Sequence, residues 1–227
     1  MPLAFPAEPT TTVKIDGSAD SFPVRRVYCV GRNYLAHARE MGADEREAPF
    51  FFTKFADTVV PSGSELAYPP RTSDFHYEGE LVIAIGAPAS KVSVNDAMLS
   101  VFGFACGLDM TRRDLQLIAR DKGRPWDMGK NFSQAAVMGP ITRRDEVGDL
   151  TGKMLTLKVN GAVAQQTDLE LLIWSCAEII SELSHYDDLA PGDVIYTGTP
   201  AGVGAVKPGD RIDLSIDGLT SIFALVA

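Results

Sequence analysis

The chain has 227 residues, 45% of them hydrophobic and 22% charged, with a formal net charge of -9. That length fits one domain able to bury a full core, and no apolar stretch approaches the roughly 18 residues that a membrane span needs. The negative balance disfavours nucleic acid or an anionic membrane as a partner, so an anionic small molecule requires a local cluster of cations, ideally with a metal.

Residues 1–23 are rich in Pro, Thr and small side chains and read as an extended lead-in without a core of their own. No basic segment followed by an apolar core opens the chain, so no secretory signal is expected. The three cysteines, Cys29, Cys106 and Cys176, are scattered through apolar contexts. Their odd number and spacing argue against a disulfide framework or a zinc site and favour a reducing cytoplasm.

Residues 25–30 form a strand candidate that runs into Gly31-Arg32-Asn33-Tyr34 and a helical stretch, 35–41, closed by Gly42. His37 and Glu40 are three apart and share a helix face. A carboxylate beside an imidazole fixes its tautomer and suits a general base for water, although an exposed helix can carry such a pair incidentally. Further on, Phe50-Phe51-Phe52-Thr53-Lys54-Phe55 draws a lysine into an apolar run. A lysine there either reaches back to solvent along its own stem or meets a buried partner.

Residues 75–85 read as one strand, Phe-His-Tyr-Glu-Gly-Glu running into Leu-Val-Ile-Ala-Ile. Alternation puts Glu78 and Glu80 on the same face with only Gly79 between them. Two such carboxylates must be open to water, share a proton or hold a cation. A third acid, Asp109, ends the β-prone run 101–108. Together the three are an all-oxygen set suited to Mg2+ or Mn2+, one divalent cation per chain, with Ca2+ less suited to catalysis. After Asp109, Thr111 and Asp114 read as a capping box for a helix that carries Leu115, Ile118 and Ala119 to a stop at Gly123.

Lys130 follows in an irregular segment, 123–132, placed as a loop cation would be. Residues 155–159 and 162–164 around Asn160-Gly161 form the clearest hairpin signal. Thr167 and Glu170 read as a second capping box, opening a helix with an apolar stripe from Leu169 through Leu172, Ile173, Cys176, Ile179 and Ile180 to Leu183. Turns at Pro191-Gly192 and Pro208-Gly209 each feed a strand, and Asp217-Gly218 joins the last pair. The glycine-rich loop 197–204 lacks dinucleotide spacing; it either offers N–H groups and the Thr199 hydroxyl to an anion or is an ordinary tight loop.

GRNYLAHAREM at 31–41, HYEGELVIAIG at 76–86, GLDMTRRDLQ at 107–116, RPWDMGKNF at 124–132 and TGTPAGVG at 197–204 together resemble the fumarylacetoacetate hydrolase superfamily, in order and over about residues 24–226. The resemblance implies a mixed α/β, mostly β fold, a β-sandwich roll with a few flanking helices, spanning residues 24–227 after the lead-in. It also implies a homodimer and a divalent metal at Glu78, Glu80 and Asp109. By the same match His37 and Glu40 are the dyad that activates water, Lys130 is catalytic, and Arg113, Gln116 and Thr199 line the substrate site. The stretches at 22–44 and 48–57 look closest to its bacterial fumarylpyruvate hydrolases of gentisate breakdown. Many relatives read Lys-Pro where this chain has Lys54-Phe55. The implied reaction is hydrolysis of the carbon–carbon bond of an acylpyruvate. The alternatives are decarboxylation or isomerisation of oxaloacetate or a related oxo acid, and a metal-stapled binding protein without turnover.

Overall fold

The computed structural model describes residues 3–34 and 47–227. Its centre is an eight-stranded mixed sheet whose main order is Phe50–Lys54, Arg26–Gly31, Asp193–Tyr196, Gly79–Ile85, Val101–Asp109, Ala136–Met138 and Val59–Pro61, with Thr142–Arg143 also paired to Val101–Asp109. The strand Gly79–Ile85 is buried along its whole length. Leu81, Ile83 and Ile85 enter one hydrophobic cluster while Val82 and Ala84 enter another, so both faces of the sheet are covered. A five-stranded sheet that includes Met154–Val159, Ala162–Asp168, Arg211–Ile216 and Ile222–Val226 shares the first cluster, through Leu155, Leu157, Ile212 and Leu214. The fold is mostly strand with few helices, as the motifs implied.

The hairpin turn at Asn160-Gly161 has φ of 50° and 83°, the left-handed pair that a two-residue turn between strands demands. Residues 12–23 differ from expectation. Thr12–Lys14 pairs with Ser21–Pro23, and Val13, Ile15 and Phe22 are buried in the second cluster. Apolar residues two apart on a strand supply a face that a Pro- and Thr-rich composition conceals.

The strand expected over 75–85 breaks at Glu78: Phe75–Tyr77 belongs to a separate three-stranded sheet with Thr111–Arg112 and Gly204–Ala205. The helix after Asp109 is Arg113–Asp121, and no side chain caps its start. Thr111 sits in a strand, while Asp114 accepts from Thr72 Oγ1 and the N–H of Ser73. That helix buries Arg113 and Gln116 and leaves Ile118 51% exposed, so its inward face is polar. The long helix begins at Cys176, not after Thr167: its capping box is Ser175 with Glu178. Thr167 lies in the strand Ala162–Asp168. The backbone between is diverted, because the N–H of Ile173 bonds the Asn33 carbonyl and that of Trp174 bonds Asn33 Oδ1. Cys176, Ile179, Ile180 and Leu183 are buried as the stripe predicted.

Candidate metal centre

Strand register brings the acids together. Gly79 pairs with Leu108 and Glu80 with Gly107, which sets Glu78 opposite Asp109, and the Asp109 N–H donates to the Glu78 carbonyl at 2.9 Å. Paired residues share a face, as do residues two apart, so Glu78, Glu80 and Asp109 converge. All three are buried, and one carboxylate oxygen from each lies within 4.8 Å of the others.

Cations close around them. Lys130, on the short helix Asp127–Lys130 inside the segment expected to be irregular, donates to Glu78 Oε2 at 2.7 Å and Asp109 Oδ2 at 2.8 Å. Arg113 holds Glu78 Oε1 and the Gln116 side-chain oxygen. Lys54 shares a strand face with Phe50 and Phe52 and is 2% exposed, so its stem does not reach solvent. Its Nζ stands 2.8 Å from Asp109 Oδ1 and donates to the carbonyls of Met110 and Lys130. Three formal negative charges thus face three positive ones.

The loop after Asp193–Tyr196 runs beside the acid strand and clamps it. Thr197 N–H bonds the Leu81 carbonyl, and the Gly198 N–H donates to Glu80 Oε2 at 2.8 Å. The Thr199 hydroxyl donates to the Gly79 carbonyl at 3.0 Å. The Gly198 N–H of this loop thus serves the Glu80 carboxylate. Gln165, from the second sheet, accepts from the Gly79 N–H and donates to Thr199 Oγ1 and the Pro200 carbonyl.

Burial pushes the Glu80 carboxyl well above its ordinary range, and the neighbouring Asp109 and Glu78 charges add to this against Lys130 and the Gly198 N–H. Burial alone would lower Lys130, but Asp109 and Glu78 outweigh it and raise its affinity for a proton. The buried Asp109 Oδ1 accepts no hydrogen bond: Lys54 Nζ, 2.8 Å away, is a charge contact whose hydrogen bonds go to the Met110 and Lys130 carbonyls. A crowded all-oxygen donor set with such an orphaned lone pair fits a hard divalent cation, and Mg2+ and Mn2+ both suit it.

A narrow cleft over the acids is lined by Glu78, Glu80, Arg113, Gln116, Lys130 and Thr199, all anticipated from the sequence, and by Arg32, Phe52 and Trp126, which were not. Alternation along Phe50–Lys54 could have signalled Phe52 and Lys54 together; Gln165 leaves no signal in the sequence. His37 and Glu40 lie outside the described residues. A cavity of about 760 Å3 between Met98–Phe102 and Arg144–Leu150 contains none of the acids.

Residues 26–227 match the family described as fumarylacetoacetate (FAA) hydrolase C-terminal. A fumarylpyruvate hydrolase of Ralstonia sp is 52% identical over 176 residues, 78% of this chain and 91% of that protein. A human mitochondrial oxaloacetate tautomerase is 38% identical over 198 residues, 87% of this chain and 90% of that protein. The crystal structure of fumarylpyruvate hydrolase from Pseudomonas aeruginosa in complex with Mn2+ and pyruvate has a TM-score of 0.97 and 50% identity, covering 100% of this chain and 99% of that one. The chain belongs to the fumarylacetoacetate hydrolase family.

Proposed function

We propose that this chain is a metal-dependent hydrolase that splits fumarylpyruvate into fumarate and pyruvate, a step of gentisate-type aromatic breakdown. The observation that carries the reading is the charge balance of the cleft: Glu78, Glu80 and Asp109 are matched by Lys54, Lys130 and Arg113. A divalent cation added to that set, with Arg32 in the same cleft, leaves a net positive site that complements a substrate with two carboxylates.

Glu78, Glu80 and Asp109 would hold the cation. When bound it supplies a Lewis acid for a chelated 2-oxo acid. Arg113, fixed between Glu78 and Gln116, offers its fork to a substrate carboxylate. Water adds to the acyl carbonyl, and Lys130 Nζ with the Gln116 amide donates to the oxyanion that results. His37, oriented by Glu40, takes the proton from that water. The carbon–carbon bond then breaks, the acyl carbon leaves as fumarate, and the carbanion carbon is protonated to give pyruvate. The Thr199 O–H is committed to the Gly79 carbonyl, so Thr199 contributes to the substrate wall by holding the loop in place.

A homodimer and a reducing, cytoplasmic setting belong to the same proposal. The free, buried Cys29, Cys106 and Cys176 suit such a compartment. Among the described residues no helix is long and apolar enough to cross a membrane.

The oxaloacetate tautomerase relative favours a second reading, an oxo-acid isomerase or decarboxylase on the same centre. The test is fumarylpyruvate, maleylpyruvate, acetylpyruvate and oxaloacetate with Mn2+, Mg2+ or EDTA, scored by product. Equimolar fumarate and pyruvate from fumarylpyruvate supports the hydrolase. Carbon dioxide release or enol–keto exchange of oxaloacetate, without fumarylpyruvate cleavage, selects the second reading.

A further inference from the structure

Among the described residues, one cation of the cleft has no carboxylate partner. Arg113 is committed to Glu78, Lys130 to Glu78 and Asp109, and Lys54 to Asp109. Arg32 lines the same cleft. Its guanidinium carbon lies 5.7 Å from the centre of the Phe50 ring, and its Nε is buried without a hydrogen bond. A buried charged donor left unmatched is costly, and a carboxylate from a ligand removes that cost.

Arg32 has φ of 57°, a left-handed conformation that glycine adopts freely and a residue with a Cβ adopts only at a cost. It is held there from the C-terminal side by Asn33, which is fully buried. Asn33 Nδ2 donates to the carbonyls of Trp174 and Thr197 at 3.0 and 2.8 Å, and Oδ1 accepts from the Trp174 N–H at 2.7 Å. On the other side Gly31 ends a strand paired with Phe50–Lys54. The turn therefore carries an arginine where glycine would fit with less strain, and its side chain points along the wall of the cleft.

That wall is aromatic. Trp126 packs edge-on against Phe50 at 5.1 Å between ring centres and lies 5.8 Å from Phe52. An adjoining cavity of about 500 Å3 shares Phe52, Trp126 and Lys130. A flat, conjugated acyl arm extending from the acids would lie along these rings and end near Arg32.

Building on the hydrolase reading, we infer that Arg32 binds the carboxylate at the far end of the substrate's acyl arm and so selects dicarboxylic acylpyruvates over monocarboxylic ones. The test is calorimetric titration of fumarate and, separately, of pyruvate into the Mn2+-loaded protein, for the wild type, Arg32→Met, Arg32→Lys and Arg32→Gly. Arg32→Met should weaken fumarate roughly 10- to 100-fold, the loss of one charge-assisted hydrogen-bonded pair, and leave pyruvate within twofold. Arg32→Lys should fall between. Arg32→Gly should lose fumarate affinity as Arg32→Met does while melting no lower than the wild type, because glycine accepts the left-handed turn. No fumarate binding by the wild type, unchanged fumarate affinity in Arg32→Met, or an equal loss for pyruvate would each overturn the assignment. Because these titrations need no turnover, failure of the hydrolase reading shows separately, as absence of fumarylpyruvate cleavage by the wild type.

Discussion

Lys54 Nζ lies 2.8 Å from Asp109 Oδ1, with both side chains sealed from solvent. Removing one partner of a buried ion pair strands the other charge, at a cost of roughly 3–5 kcal/mol. Lys54→Met should therefore lower Tm of the metal-free protein by on the order of 10 °C. A divalent cation neutralises the same carboxylate, so the rise in Tm on adding Mn2+ should be larger in Lys54→Met than in the wild type. Differential scanning calorimetry with and without Mn2+ measures both, and equal Mn2+ shifts would show that Lys54 and the cation do not serve the same charge.

Chelation is the direct check on the acids. EDTA should abolish turnover, and Mn2+ or Mg2+ should restore it in the wild type but not in Glu78→Ala or Glu80→Gln. Each of these substitutions removes an anionic ligand from an all-carboxylate set. Isothermal titration of Mn2+ gives the same answer without catalysis: undiminished affinity in Glu80→Gln removes that residue from the ligand set.

His37→Ala should leave Mn2+ affinity unchanged and reduce kcat by roughly 10²- to 10⁴-fold, the usual contribution of a general base. Glu40→Gln should reduce it less. Full turnover by His37→Ala would dismiss the dyad.

Asp114 joins the turn at Thr72–Asp74 to the helix that carries Arg113. Burial alone would raise its pKa, but hydrogen bonds from Thr72, Ser73 and Leu115 outweigh burial and hold the carboxyl below its usual 3.8. A depressed acid adds stability that is present above its unfolded value and is lost as pH falls through the folded one. Asp114→Asn should cost about 1 kcal/mol at pH 7, and the difference from wild type should shrink in urea melts from pH 7 toward pH 3. A gap that stays constant with pH would mean the charge is irrelevant.

Gly202 has φ of 94°, and a Cβ there would collide with the Ala164 carbonyl. Gly202→Ala therefore combines backbone strain with a steric clash, roughly 1–3 kcal/mol or more. Relief requires the 197–204 loop to move, which should loosen Gly198 from Glu80. Both Tm and Mn2+ affinity should fall together; a fall in Tm alone would uncouple the loop from the metal centre.

The sequence by itself determined what depends on near neighbours. Alternation put Glu78 and Glu80 on one face, Asn160-Gly161 specified its turn, and a 3.6-residue period marked Ile179, Ile180 and Leu183 as a buried stripe. Only the tertiary structure decided what depends on distant chain. Register, set by pairing from Gly79–Leu108 onward, placed Asp109 opposite Glu78. Both Thr167/Glu170 and Ser175/Glu178 satisfy the capping pattern, and the bonds from Ile173 and Trp174 to Asn33 selected the second. The helix Arg113–Asp121 turns Arg113 and Gln116 inward because Arg113 reaches the buried Glu78 and donates to Gln116, against the rule that apolar residues mark the hidden face. Periodicity reports the hydrophobic effect, which is local in pattern; ion pairs at 2.7–2.8 Å between Lys54, Lys130 and acids far along the chain arise only once the sheet has closed.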